Sequence, residues 1–355
     1  MGFLFMKNNL KVIAVIIGTL IGAGFASGQE IYLFFFAYGI KGIIGIFISS
    51  ILMGTIIYKT LLIVKENNVK NYKEYLELFI KPKENKGYFN IKNIINAIIN
   101  IFILITFFIM IAGFGAYFKQ ELGINNLIGS SILSIACLFV FKTNQKGVVK
   151  VSTLLVPILV VFIIIICILN MQDIHLNEFS NYLINNNNLN YILKAVLYCS
   201  YNSILLIPVL ITLKDYIKNK NQVARISIIT TIITIILSIS IFLILIKVNV
   251  DISKIEMPAV YVISKMSNIF KNIYGFIILG SIFTTAISLG NSFLQNVSKN
   301  KKSYTQIATI MCITSVIISE IGFSNLINSL YPIFGYLGLI QIFKLIITKA
   351  RIMQK

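Results

Sequence analysis

Two stretches of this chain carry residue types out of place in the apolar sequence around them. The first, Gly18-Thr-Leu-Ile21-Gly22-Ala23-Gly24-Phe25-Ala26-Ser27-Gly28-Gln-Glu30, sets four glycines and a carboxylate within an apolar run. Glycine in a helix interior costs roughly 1 kcal/mol relative to alanine, so the cluster predicts a helix that breaks, with backbone unwound near residues 22 to 27. Unwound backbone at membrane depth is tolerated only when it is buried in protein or lines a wet cavity. Its free amides and carbonyls are then available to a polar ligand. Ser27-Gly-Gln-Glu30 has the S-x-x-E form of a capping box, which predicts a second half-helix starting there. Two roles stay open for Glu30: half of that cap, or a partner for a substrate ammonium or a carried proton. The four-residue spacings Gly18/Gly22 and Gly24/Gly28 also suit small-residue helix packing.

The second stretch is Tyr198-Cys-Ser200-Tyr201-Asn202-Ser203, followed by Pro208. Alone it reads as interhelical hydrogen bonding, worth about 0.6 kcal/mol per bond. Gly22 and Ser200, however, lie 178 residues apart in a chain of 355, so the two irregular stretches take matching places in two halves. Paired interrupted spans in corresponding positions point to a solute site between them. Half-helix amides around Ser27 and around Asn202 would hold a carboxylate. Glu30, or the carbonyls of residues 22 to 25, would take an ammonium, with Phe25, Tyr198 and Tyr201 shaping the pocket. The expected substrate is a small amino acid or a related solute.

The elements that must position these groups are membrane spans. The chain is 57% apolar and 12% charged, with mean hydropathy +0.87, outside the range of a water-soluble surface. Its apolar runs have the roughly 20-residue length that crosses a ~30 Å hydrocarbon core. Ten are expected, near residues 10 to 38, 43 to 64, 93 to 117, 124 to 141, 148 to 170, 190 to 213, 225 to 248, 272 to 296, 304 to 321 and 325 to 348. The predicted class is therefore an all-α polytopic membrane protein of one domain, with halves at about 10–170 and 190–348. Of the 31 Lys and Arg, 24 fall in segments cytoplasmic by this topology, which places both termini in the cytoplasm.

The net charge of +19 suits anionic lipid surfaces and gives no nucleic-acid face. Cys137, Cys167, Cys199 and Cys312 all lie in apolar runs, and His175, the single histidine, sits in a polar loop. No Ser/His/Asp, Cys/His or zinc constellation can be assembled from them, so an enzyme and an organic cofactor are not expected. The first apolar run lacks a signal-peptide pattern and is expected to stay as a span. The Asn185 to Asn188 run reads as a solvated turn. The loop from Asp251 to Lys271, with Met257, Val260, Tyr261, Ile263 and Met266, would lie either over the bundle mouth or at the lipid interface.

Gly22-Ala-Gly-Phe-Ala-Ser-Gly-Gln-Glu30 and Tyr38-Gly-Ile-Lys-Gly42 resemble the YkvI family of bacterial membrane proteins over nearly the whole chain. That family is similar to the amino acid, polyamine and organocation transporter superfamily. The resemblance implies the LeuT fold: two inverted five-helix repeats with interrupted helices 1 and 6. It further implies a sodium position made by the carbonyls of Gly18 and Ile21, the Ser281 carbonyl, and the Thr284 and Thr285 hydroxyls. Apart from the resemblance, those two hydroxyls would bond back to their own helix. Some proton-coupled relatives put a lysine on the fifth helix instead, but residues 151 to 170 hold no Lys or Arg, which favours sodium. Glu30 keeps a proton in play as coupling ion. No Arg follows the glycines to form an outer gate. The expected function is secondary transport by alternating access, with a nutrient- or germinant-sensing receptor of the same fold as the alternative.

Overall fold

In hydrocarbon every backbone amide must find its partner within the protein, which leaves the helix as the way for a single apolar run to cross. The computed structural model describes residues 2–79, 91–171, 190–247, 255, 257–321, 323, 334–339, 342–343 and 345. These are helical almost throughout, with no strand among them. The first span comprises α1 (Gly2–Leu20), α2 (Ala23–Ala26) and α3 (Gln29–Phe34). A 3-10 turn at Phe36–Tyr38 leads to α4 (Ile40–Asn67), and the short α5 (Tyr72–Glu77) follows. Then come α6 (Ile91–Leu122), α7 (Asn126–Phe141), α8 (Asn144–Met171), α9 (Tyr191–Thr212) and α10 (Lys220–Leu245). The short α11 (Pro258–Ser264), α12 (Asn268–Val297) and α13 (Lys301–Ile318) complete the described elements.

Nine expected spans thus appear at close to their expected positions. Of the tenth, residues 334–339 are helical and the rest lies outside the described residues, as do His175 and the Asn185–Asn188 run. Helix starts follow side-chain caps: Asn219 accepts from the Gln222 amide (2.8 Å), Asn300 from Ser303 (2.8 Å) and Ser267 from Phe270 (3.3 Å). Such caps satisfy amides that have no partner inside the helix.

The first span is the centre of the bundle, packed among α8, α9, α10 and α12, with α4 covering α9 and α10, and α6 against α12. The most apolar stretch of α9 is 94% buried, whereas that of α8 is 33% buried, so α9 is an inner helix and α8 faces outward. The link between first and second spans is tight. Gly39 has φ +58°, a left-handed conformation that glycine adopts without a Cβ penalty, and a Cβ on Gly42 would lie 2.6 Å from the Phe35 carbonyl carbon. Gly42→Ala is expected to destabilise the protein by about 1–3 kcal/mol, as overpacking of a filled site does. A lowered melting temperature of the purified protein is the check; an unchanged one would mean that the turn yields freely.

Two short helices close the ends. On one side α5 buries Tyr72, whose amide donates to Asn296 Oδ1 (3.2 Å), and Asn296 in turn donates to Asn100 (3.1 Å). Burial pushes the Tyr72 and Tyr75 hydroxyls above the usual tyrosine range, so both are neutral. On the other side, α11 buries Ala259, Val260, Val262 and Ile263 behind Met257. The Ala259 amide donates to the Ser27 carbonyl (2.9 Å). The described part of the 251–271 loop therefore covers the bundle mouth rather than lying at the lipid interface; residues 251–254 and 256 lie outside the described residues.

Candidate functional site

The first span breaks where its glycines predict, but twice. Between α1 and α2 the chain is extended at Gly22 (φ −87°, ψ −171°). One helical turn follows, and then Ser27 and Gly28 (φ +83°) interrupt it again. The expected capping box does not form. Gly28 is the N-cap of α3 without a side-chain cap, and the Ser27 amide donates to Ala23. The Ser27 hydroxyl donates to Gly24 (3.1 Å) and accepts a long contact from the Gln29 amide (3.4 Å). The left-handed glycine sets the start of α3 itself, so Ser27 stays bonded to the turn before it.

Carbonyls released at the breaks are met by distant residues. Tyr274 on α12 donates to Ala26 (2.7 Å), and α11 takes Ser27. At the first break the oxygens expected to form an ion position converge. The Thr285 hydroxyl lies 2.7 Å from the Gly18 carbonyl, 3.2 Å from Ile21 and 3.4 Å from Thr19. The Thr284 hydroxyl lies 3.2 Å from Gly18 and 3.0 Å from the carbonyl of Ser281 on its own helix. Thr284 thus joins the in-helix arrangement and the cross-helix one, while all three contacts of Thr285 cross to the first span.

Each threonine hydroxyl has one proton to donate. Four carbonyl oxygens therefore share two protons in a site where Gly18, Ile21, Ser281, Thr284 and Thr285 are all buried. Three of these carbonyls end α1, at the negative pole of its dipole. Such a surplus of oxygen acceptors has the chemistry that suits a small hard cation. The contacts of the cluster are made by carbonyls and hydroxyls, and among the described residues no group of three or more His, Cys, Asp or Glu could hold a metal. Val156 of α8 packs on the same spot, 2.9 Å from where a Gly18 Cβ would stand.

Glu30 is 4% exposed and accepts a hydrogen bond from the Tyr201 hydroxyl, joining α3 to α9. Gly24 lies against it: a Cβ there would stand 2.8 Å from Glu30 Cγ and 2.9 Å from Cδ. Gly22 has room, its nearest neighbours being Met110 Sδ and the Thr285 side chain at 3.5 Å. Ala23, Phe25 and Ala26 are buried in α2.

The sixth span corrects an expectation. α9 is one continuous helix with Pro208 inside it, so helix 6 is not interrupted and offers no free half-helix amides at Asn202. The polar side chains are absorbed without unwinding. Asn202 donates to the Tyr198 carbonyl (3.0 Å), Ser203 to Ser200 (2.8 Å), and Ser200 across to Gly335 of the tenth span (2.7 Å). Residues 191 to 212 contain no glycine, hence no position that enters the left-handed region without cost.

A wall of rings joins the first span to α9. Among the described residues, Phe34 stacks on Tyr201 (5.6 Å between centroids) and meets Tyr198 edge-on (5.4 Å), while Phe35 meets Tyr198 at 4.9 Å. Phe25 is in no such pair. Phe34 was legible in principle, because it follows Glu30 by one helical turn and shares its face. Nothing local marks Tyr274 or Ala259, whose partners are more than 200 residues away.

A scan against protein-family models finds no match. The chain is 31% identical over 349 residues to the uncharacterized membrane protein YkvI of Bacillus subtilis (strain 168), covering 95% of this chain and 94% of that protein. It is 24% identical over 338 residues to the uncharacterized protein YyaD of the same organism. Among solved structures it superposes on MhsT in complex with L-phenylalanine (TM-score 0.68, 16% identity, 94% of this chain and 87% of that one). It also superposes on a Na+-coupled sialic acid symporter in a substrate-bound outward-open state (TM-score 0.66, 12% identity, 95% and 78%). A manganese transporter mutant of Eremococcus coleocola gives a TM-score of 0.63 at 12% identity, over 96% and 78%. At these identities the likeness is one of fold, and the fold is the LeuT fold.

Proposed function

From the premise that the chain belongs to the YkvI family of bacterial membrane proteins, we propose that it is a secondary transporter, coupling sodium to the movement of a small amino acid or related solute by alternating access. It works in the cytoplasmic membrane with both termini inside, its halves at about 10–170 and 190–348 acting as the two repeats. The observation that carries this reading is the gathering of the Gly18, Thr19 and Ile21 carbonyls onto the Thr284 and Thr285 hydroxyls. Carbonyls of an unwound span and a half-helix C-terminus are what coordinates a coupling cation in transporters of this kind. The Na+-coupled symporter of the same fold is consistent with it.

The substrate lies beside this ion, against Gly22 to Gly28, Glu30 and the Tyr198–Tyr201 face of α9. Ser200, Asn202 and Ser203, expected as ligands, act here as packing and in-helix groups, and the cargo meets α9 through its tyrosines. Glu30 supplies the negative charge for an ammonium. A buried carboxylate is costly without a cation, a proton or strong donors, so filling and emptying the site changes what Glu30 needs.

The decisive experiment uses the full chain in liposomes with an imposed inward sodium gradient and labelled amino acids. Accumulation above equilibrium that collapses when potassium replaces sodium is the expected result; saturable binding without uptake would make the protein a receptor. For Glu30→Gln, uptake is expected to fall and its dependence on external pH to flatten, measured as initial rates from pH 5 to 8. A pH profile parallel to that of the unaltered protein would remove Glu30 from proton handling, and unreduced uptake would remove it from ammonium binding.

A further inference from the structure

Away from the broken span, the turn joining α7 to α8 borders a cavity of 810 Å³ with Lys142, Lys146 and Lys150 in its wall, together with Asp215 and Tyr216 from the 3-10 turn that follows α9. Three cations face one anion. Among the described residues none of the three lysines forms an ion pair. The surface running into the span from these lysines is apolar and uncovered. On α8, Lys146 and Lys150 continue along the same helix face to Leu154 (67% exposed) and Ile158, because residues four apart share a face. On α7, Lys142 sits with its ammonium 4.8 Å from the centre of the Phe139 ring. Phe139 is 62% exposed, and Ile135, one turn deeper, is exposed as well. The hairpin therefore presents a cationic hollow at the end of the bundle, continuous with two apolar stripes that descend into the hydrocarbon.

We propose that this hollow binds the phosphate headgroup of an anionic phospholipid, whose acyl chains lie along the Phe139–Ile135 and Leu154–Ile158 stripes. A soluble phosphate matches only the hollow; a phospholipid matches hollow and stripes together. Basic pockets between spans at the cytoplasmic surface are suited to anionic headgroups, and the apolar stripes add a requirement for chains. The inference stands apart from the transport reading, since binding is measured without substrate or sodium.

The test is native mass spectrometry of the purified full chain with phosphatidylglycerol, phosphatidylcholine or inorganic phosphate. Phosphatidylglycerol is expected to bind in preference to phosphatidylcholine. The triple change Lys142→Gln, Lys146→Gln, Lys150→Gln should weaken it by at least about tenfold. The control Lys299→Gln, Lys301→Gln, Lys302→Gln removes the same charge from another turn at the same end and should leave it intact. Equal losses in both triples would reduce the effect to general surface attraction and overturn the proposal. Displacement by millimolar inorganic phosphate alone would overturn the lipid assignment. If the first triple fails to show a normal melting curve, the single changes Lys146→Gln and Lys150→Gln are read instead, and retained affinity in both defeats the site.

Discussion

Thr285→Val is expected to raise the sodium concentration for half-maximal uptake by about tenfold to a hundredfold, and to weaken stabilisation by sodium to the same degree. Valine keeps the shape of threonine and replaces the hydroxyl by a methyl. The methyl would stand where the hydroxyl now meets Gly18 at 2.7 Å and Ile21 at 3.2 Å. The loss that weakens binding is that of one oxygen facing the cation, a polar contact to a charged group worth about 1.5–3 kcal/mol, and each 1.4 kcal/mol is tenfold in affinity. Thr285→Ser retains the oxygen and should stay within a few-fold of the unaltered protein. Thr284→Val should have a smaller effect, because that hydroxyl is shared with Ser281 of its own helix. The measurements are sodium titrations of initial uptake and of melting temperature. If Thr285→Val leaves both unchanged, the oxygen cluster is packing and not an ion site.

What the sequence made legible divides along physical lines. The spans follow from the thickness of a bilayer, a constraint that acts on every residue of a run, so nine of ten were located from hydropathy alone. The first break was legible because glycine is a local cause with a local effect: Gly28 takes φ +83°, and few other residues do so without strain. The oxygen cluster at the first break was not derivable from spacing. Gly18 and Thr285 are 267 residues apart, and only resemblance to a known fold brought them together.

The break expected in helix 6 rests on pairing its polar stretch with the broken first span, and position in the chain does not dictate backbone: α9 runs unbroken. Ser and Asn side chains can instead be satisfied by carbonyls of the preceding turn, as Asn202 and Ser203 are. Pro208 costs the helix one hydrogen bond without ending it. Both stretches are buried, and Tyr201 of the sixth span meets Glu30 of the first. In the proposed transport site, one broken span and one continuous span divide the labour: carbonyls come from the first, and aromatic side chains from the sixth.

That division makes Gly24 the most sensitive position for cargo. Gly24→Leu is expected to abolish saturable uptake and ligand-induced stabilisation. A Cβ at this position stands 2.8 Å from Glu30 Cγ, closer than carbon atoms approach in packed interiors, and three further carbons follow it. Glu30 cannot retreat without losing the Tyr201 hydroxyl that joins α3 to α9, so the side chain pushes α2 away from α3 and α9, between which the cargo is proposed to sit. Gly22→Ala is the counterpart, because its Cβ meets Met110 and Thr285 only at 3.5 Å, ordinary contact, and its φ of −87° suits alanine. It should keep most of the uptake. A misfolded Gly24→Leu protein is told apart from a blocked one by sodium: the oxygen cluster proposed to hold the ion lies at the other break, so a folded variant is expected to keep its sodium-dependent melting shift while losing the shift from amino acid. Wild-type uptake by Gly24→Leu would mean that the cargo does not pass between α2 and Glu30.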